Sequence, residues 1–214
     1  MFETHMPHAE KGNVIGLFGG SFNPPHEGHM LVAKRALQAL GLDQLWWMVT
    51  PGNPLKNHAD LLPLKERLQK SAELIDDPRI KVTGFEQTIK SYKSVTTISY
   101  ILQHNVGVHF VWIMGADSLA TFHRWFRWRD IVKMVPIAVI DRPTAPMSAL
   151  SSPMAQTFMS SRVNEKNIAA LPLMAPPAWS YLHGRLSNAS STQLRLHNLE
   201  NTNIKAISVI ARKG

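Results

Sequence analysis

Six short apolar runs, over residues 14–18, 44–49, 80–82, 108–114, 136–140 and 178–182, are separated by stretches of helical period and by loops rich in glycine and proline. That alternation is the pattern of βαβ units. A parallel strand covered on both faces reads as a continuous apolar run, and the return to the next parallel strand needs a crossover, usually a helix. Helices are predicted over residues 28–40, closed by Gly41, over 63–75, led by Pro63, and over 94–104. A short helix is expected over 190–199. The fold class these elements imply is α/β: a doubly wound, Rossmann-like parallel sheet with helices on both faces, in a single domain. Residues 1–12 are polar and mixed and are expected to form a flexible extension ahead of a domain over 13–214. The segment 144–161, rich in Ser, Met, Ala and Pro, reads as a surface excursion.

Such sheets bind ligands in the crevice outside the carboxyl ends of their strands. Residues that carry chemistry should therefore follow strands, and here they do. The run 14–18 leads into Gly19-Gly20-Ser21-Phe22-Asn23-Pro24-Pro25-His26-Glu27-Gly28-His29. Glycines there let the backbone turn and approach a ligand. The helix behind points its free N–H groups at the crevice, a site for phosphate. His26 and His29, three apart at the helix start, share a face, and two imidazole donors there can meet charge that develops on phosphate oxygens. Read singly, such histidines are incidental to a helix-capping loop, or one pair of a metal site; in this combination they read as a phosphate cradle. The loop is neither a P-loop nor the dinucleotide fingerprint, since it lacks a GK[ST] ending and a third glycine. Read alone, Ser190-Ser191-Thr192 followed by Arg195 is an ordinary helix cap with an arginine nearby; together with the histidine loop it reads as a second anion-binding element, with a hydroxyl cap, outward N–H groups and a guanidinium fork.

The bulk numbers limit the classes that remain. Over 214 residues the hydrophobic fraction is 44%, enough for a real core. The formal charge of +8 suits an anionic partner, whether nucleic acid, an acidic membrane surface or phosphorylated small molecules. No cysteine is present, which removes disulfides, thiolate metal sites and cysteine nucleophiles. The opening residues have no signal-peptide core and no apolar stretch approaches a membrane span, so a cytoplasmic protein is expected.

The segment 19–29 resembles the GSFDPxHxGH signature of the nucleotidylyltransferase superfamily, with Asn23 where Asp is common, and SSTQLR at 190–195 resembles its ISSTxxR signature. The chain as a whole resembles the bacterial nicotinate-mononucleotide adenylyltransferase family, over roughly residues 12–195. The resemblance implies that Gly19, Gly20, Ser21, Phe22, His26, His29, Ser190, Ser191, Thr192 and Arg195 bind ATP, with His26, His29 and Arg195 acting in catalysis. On the acceptor side it implies Lys56 in Asn53-Pro54-Leu55-Lys56, Thr97, Asp117 in Gly115-Ala116-Asp117-Ser118, Trp125 and Arg142. Trp125, which would stack on the acceptor's pyridine ring, reads equally as a packing residue beside Trp128.

The expected reaction is adenylyl transfer from ATP to nicotinate mononucleotide, giving nicotinate adenine dinucleotide and pyrophosphate, with Mg²⁺ brought in by ATP. Neither nucleic acid nor membrane is an expected partner, and assembly into a homo-oligomer stays open. Two alternatives remain: another acceptor, nicotinamide mononucleotide or phosphopantetheine, or a non-catalytic nucleotide- or RNA-binding module using the interleaved Trp and Arg of residues 123–129.

Overall fold

Seven strands pair into one sheet: β1 (Phe2–Glu3), β2 (Val14–Gly20), β3 (Gln44–Val49), β4 (Ile80–Thr83), β5 (His109–Gly115), β6 (Ile137–Ile140) and β7 (Trp179–Leu182). Their spatial order is β1-β4-β3-β2-β5-β6-β7, and every pair is parallel. The structure is a computed structural model that describes residues 2–52, 61–141 and 147–183. Among the described residues six α-helices accompany the strands: α1 (Glu27–Ala39), α2 (Leu64–Leu74), α3 (Ser94–His104), α4 (Ala116–Thr121), α5 (Trp128–Met134) and α6 (Pro153–Thr157). This is the doubly wound α/β arrangement expected from the apolar runs.

Side chains alternate across the pleat, so each strand feeds two cores. Ile15, Leu17, Trp46, Met48, Trp112, Met114, Ile137 and Val139 lie on one face with Val95 and Ile98 of α3 and Ile131 and Val132 of α5. Phe18, Trp47, Val49, Val111, Ile113 and Ile140 lie on the other, under Val32, Ala36 and Leu37 of α1 and Leu68 of α2. Both faces are covered, which is why β3 and β5 have no polar alternation to show.

The chain runs from β2 outward through β3 to β4, then returns to β5 on the opposite side of β2. The strand order reverses between β2 and β5, and the crevice of the fold opens there. Loop 21–26 and α4 both leave the sheet at that point.

Two expectations need correction. Residues 2–12 are not a flexible extension: Phe2–Glu3 pairs with Val82–Thr83 as the edge of the sheet. His5 and Thr4 carbonyls accept from the hydroxyls of Thr83 and Thr88 at 2.8 and 2.9 Å. Two residues of strand are too few to show a period, so nothing in the sequence marks them. The segment 144–161 is also more than a surface excursion, for Ala149, Met154 and Ala155 are buried in the first core. Short 3-10 turns at Met147–Ser151 and Met159–Ser161 flank α6, and a further one covers Glu165–Leu173. Turns of this kind bury single residues without an amphipathic stripe.

Candidate active site

The loop between β2 and α1 is built on aromatic rings. Gly19 and Gly20 finish β2 rather than turning the chain; neither has a positive φ. Their lack of a side chain is used for packing. A Cβ on Gly19 would stand 2.8 Å from the Trp112 ring, and one on Gly20 would meet the Phe22 ring at 3.1 Å. The left-handed residue of the turn is Phe22, at φ 43°. That conformation costs a non-glycine residue roughly 1–2 kcal/mol. Burial offsets it: the Phe22 ring stacks on Trp47 at 4.3 Å and meets Phe18 edge-on at 5.3 Å. Phe22 is almost wholly enclosed, so of this residue only backbone is left to meet a ligand. The Asn23–Pro24 peptide that follows is cis.

His26 is the N-cap of α1. Its Nδ1 accepts from the N–H of Gly28 at 3.1 Å, and its own N–H donates to Nδ1 of His29 at 3.3 Å. The two histidines thus form a capping box with imidazoles in place of the usual hydroxyl and carboxylate. The pairing has a chemical consequence. A backbone N–H can only donate, so each Nδ1 must hold a lone pair, and each ring carries its proton on Nε2. Backbone geometry therefore sets both tautomers, with Nε2–H as the donor. The rings lie 3.8 Å apart and 31° from parallel, and His29 rests edge-on over Phe22 at 5.0 Å. His26 is only 4% exposed, while His29 is half-buried at the crevice. Two Nε2–H donors, the N–H groups of the first turn and the positive end of the α1 dipole make an anion site.

Across the crevice, Asp117 stands exposed in the first turn of α4, directly after β5. Trp125 follows the 3-10 turn Phe122–Arg124, and its N–H donates to the Phe122 carbonyl at 2.9 Å. The ring is half-buried, edge-on to Trp112 at 6.2 Å and to Phe122 at 5.2 Å. Trp128 belongs to the core. Trp125 thus packs and still reaches the surface, so the two readings of it are not exclusive.

Thr97 departs from expectation. It is 0% exposed, and its hydroxyl donates to Oε1 of Glu86 at 2.8 Å. A side chain sealed in the core and occupied there does not present itself to an acceptor. Glu86 is the residue that sequence reasoning missed beside it. It is enclosed, its Oε1 accepts from Thr97, and burial pushes its carboxyl above the ordinary value. The rest of the expected site, Lys56, Arg142, Ser190, Ser191, Thr192 and Arg195, lies outside the described residues.

The chain belongs to the cytidylyltransferase-like family, which it matches over residues 17–196. Within that family its similarity points to one enzyme. It is 56% identical over 190 residues to the "probable nicotinate-nucleotide adenylyltransferase" of Rhizobium johnstonii, covering 89% of this chain and 96% of the relative. The protein of the same name from Brucella abortus is 56% identical over 182 residues, covering 85% and 94%. Among solved structures, Plasmodium falciparum nicotinic acid mononucleotide adenylyltransferase complexed with NaAD superposes with a TM-score of 0.64 at 15% identity. That match covers 86% of this chain and 82% of the other, and at such low identity it bears on the fold alone. No helix among the described residues is long and apolar enough to cross a membrane.

Proposed function

We propose that the chain is a nicotinate-nucleotide adenylyltransferase, moving AMP from ATP onto the phosphate of nicotinate mononucleotide. The observation that carries the reading is the pair of Nε2–H imidazoles fixed by backbone bonds at the N-terminus of α1, in a chain whose relatives bear that enzyme's name. A phosphate oxygen of the acceptor attacks the α-phosphorus in line. The new P–O bond forms as the bond to the β-phosphate breaks, and pyrophosphate leaves. Because a nucleotide phosphate is largely ionised at pH 7, its second pKa being about 6, no general base is required. Catalysis then consists of positioning two polyanions and neutralising charge on the group in transfer.

His26 and His29 supply donors to the triphosphate, with Arg195 and the 190–192 segment assigned to its other side. Asp117 and Trp125 form the acceptor side, the latter as a stacking surface, and Lys56 and Arg142 add positive charge there. Mg²⁺ would enter as part of the substrate, with ATP, and would supply positive charge to offset that of the phosphates. Among the described residues there is no group of three His, Asp or Glu placed to hold a metal.

Pyrophosphate release tests the reading. With ATP and Mg²⁺, release should be fastest with nicotinate mononucleotide and slower with nicotinamide mononucleotide or phosphopantetheine. Equal or faster release with either of the latter would reassign the acceptor, and none with any of the three would end the enzyme reading.

A further inference from the structure

Among the described residues one cationic side chain is sealed away and yet belongs to no ion pair. Arg67, in α2, is 1% exposed. Four of its hydrogen bonds are visible, and every one ends on a backbone carbonyl. Nε donates to Leu62 at 2.8 Å, Nη1 to Ser21 at 2.7 Å and to Thr50 at 2.8 Å, and Nη2 to Pro51 at 3.1 Å. Removing a guanidinium from water is costly unless its donors are satisfied, and burial does pull its pKa down. A fold that needed only core volume at this position would use Leu or Met.

The four carbonyls are not scattered. Ser21 lies in the loop that delivers His26 and His29, Thr50 and Pro51 begin the loop after β3, and Leu62 leads into α2. Asn23, inside the histidine loop, accepts from the N–H of the same Leu62 at 3.1 Å. The N–H of Thr50 donates to Gly20 at 3.0 Å. One planar fork thus joins three segments at the carboxyl ends of the strands, a geometry that the point charge of lysine cannot reproduce.

We propose that Arg67 is a positioning residue of the nucleotide site: its guanidinium holds the loop of His26 and His29 in register with the loop after β3, and it acts on ATP through those histidines. The inference rests on the reading of His26 and His29 as phosphate donors. It differs from simple stabilisation in one respect. Losing the fork should matter less to ATP once His29, the less buried of the two histidines it positions, is gone.

The test is a cycle of R67K, H29A and the double variant, read as kcat/KM for ATP. A misplacement of about 1 Å costs up to 10²-fold. R67K should therefore lower kcat/KM by on the order of tenfold in the wild-type background and by less than about twofold in H29A. A second arm needs no turnover. In ¹⁵N spectra of the imidazoles, wild type should show both rings as the Nε2–H tautomer, and R67K should disturb that signature while the melting curve stays cooperative. Equal losses in the two backgrounds, or imidazole signals untouched by R67K, would overturn the proposal. If R67K does not fold, N23A breaks the same junction from the other side and is read in the same two ways. A wild-type chain that releases no pyrophosphate would remove the enzyme reading, and the imidazole arm would still decide the role of Arg67.

Discussion

A histidine whose Nδ1 accepts from a backbone N–H carries its proton on Nε2, and the position of that donor is set by the helix rather than by the side chain's own rotamers. His29 is such a residue, half-buried and placed over Phe22. Replacing it with alanine should lower turnover on the order of 10²-fold or more, the usual cost of removing one preorganised donor from a charge-stabilising site. A loss under about threefold would remove His29 from that role. His26 is a poorer probe, because it also caps α1 and its removal would cost about 1 kcal/mol of stability besides.

Glu86 makes a separate prediction at the same scale. Its carboxyl is held above the ordinary value of about 4.5 by burial, with the Thr97 hydrogen bond opposing the shift. The folded state therefore keeps a proton that the unfolded chain gives up above about pH 4.5. Wild-type stability must fall as pH rises through that window, by up to about 1.4 kcal/mol per unit. Glutamine keeps an oxygen for Thr97 and cannot ionise. E86Q should be more stable than wild type in urea unfolding at pH 7 to 8, with the advantage shrinking towards pH 4.5. A gap that does not change with pH would show that Glu86 does not titrate on unfolding.

Among the elements, β2 does the most for the site. It ends on two glycines that pack against rings, and an alanine at position 19 would bring a methyl to 2.8 Å from Trp112, which is itself buried. Overpacking of that kind typically costs about 1–3 kcal/mol. G19A should lower the urea midpoint accordingly, and an unchanged midpoint would mean that Trp112 moves aside freely.

Strands β2 to β7 were legible because each is a continuous apolar run, and α1 and α3 because their periods are clear. The boundaries of α3 are those expected, and those of α1 differ by one residue because His26, not the loop before it, caps the helix. Other features had no signal to read. Phe22 stands in the sequence as an expected ATP contact, with nothing to mark its left-handed backbone or its ring stack. Arg67, set among Lys65, Glu66 and Lys70, reads as part of a solvated helix face. The one hint lay in spacing, since it falls on the same side of α2 as the buried Leu68 and Ser71. Thr97 failed for the opposite reason: a hydroxyl near an expected site looks like a ligand contact, and only burial shows that it serves Glu86.

At the scale of the molecule the sheet is asymmetric in what it protects. Its crevice lies between β2 and β5, and β1 at the far edge stands three positions from β2. β1 is short, yet it caps the edge of β4 and is tied by Thr83 and Thr88 to the carbonyls of His5 and Thr4. Deleting residues 2–5 should lower stability by roughly 1–3 kcal/mol through the lost hydrogen bonds and increase association through the bared strand. The KM for ATP should stay the same. A large change in that KM with little change in stability would place β1 in the working of the site instead.

One more consequence comes from the ring beneath the loop. The Trp47 ring stacks on Phe22 at 4.3 Å, inclined by 28°, and lies 6.1 Å from the imidazole of His29. Indole emission responds to neighbours at such distances, and imidazole is a quencher. The molecule therefore carries an optical gauge beneath the loop that leads into α1. With the other five of its six tryptophans replaced by phenylalanine, the light from Trp47 would report when that loop is occupied, with no dye attached and no product formed.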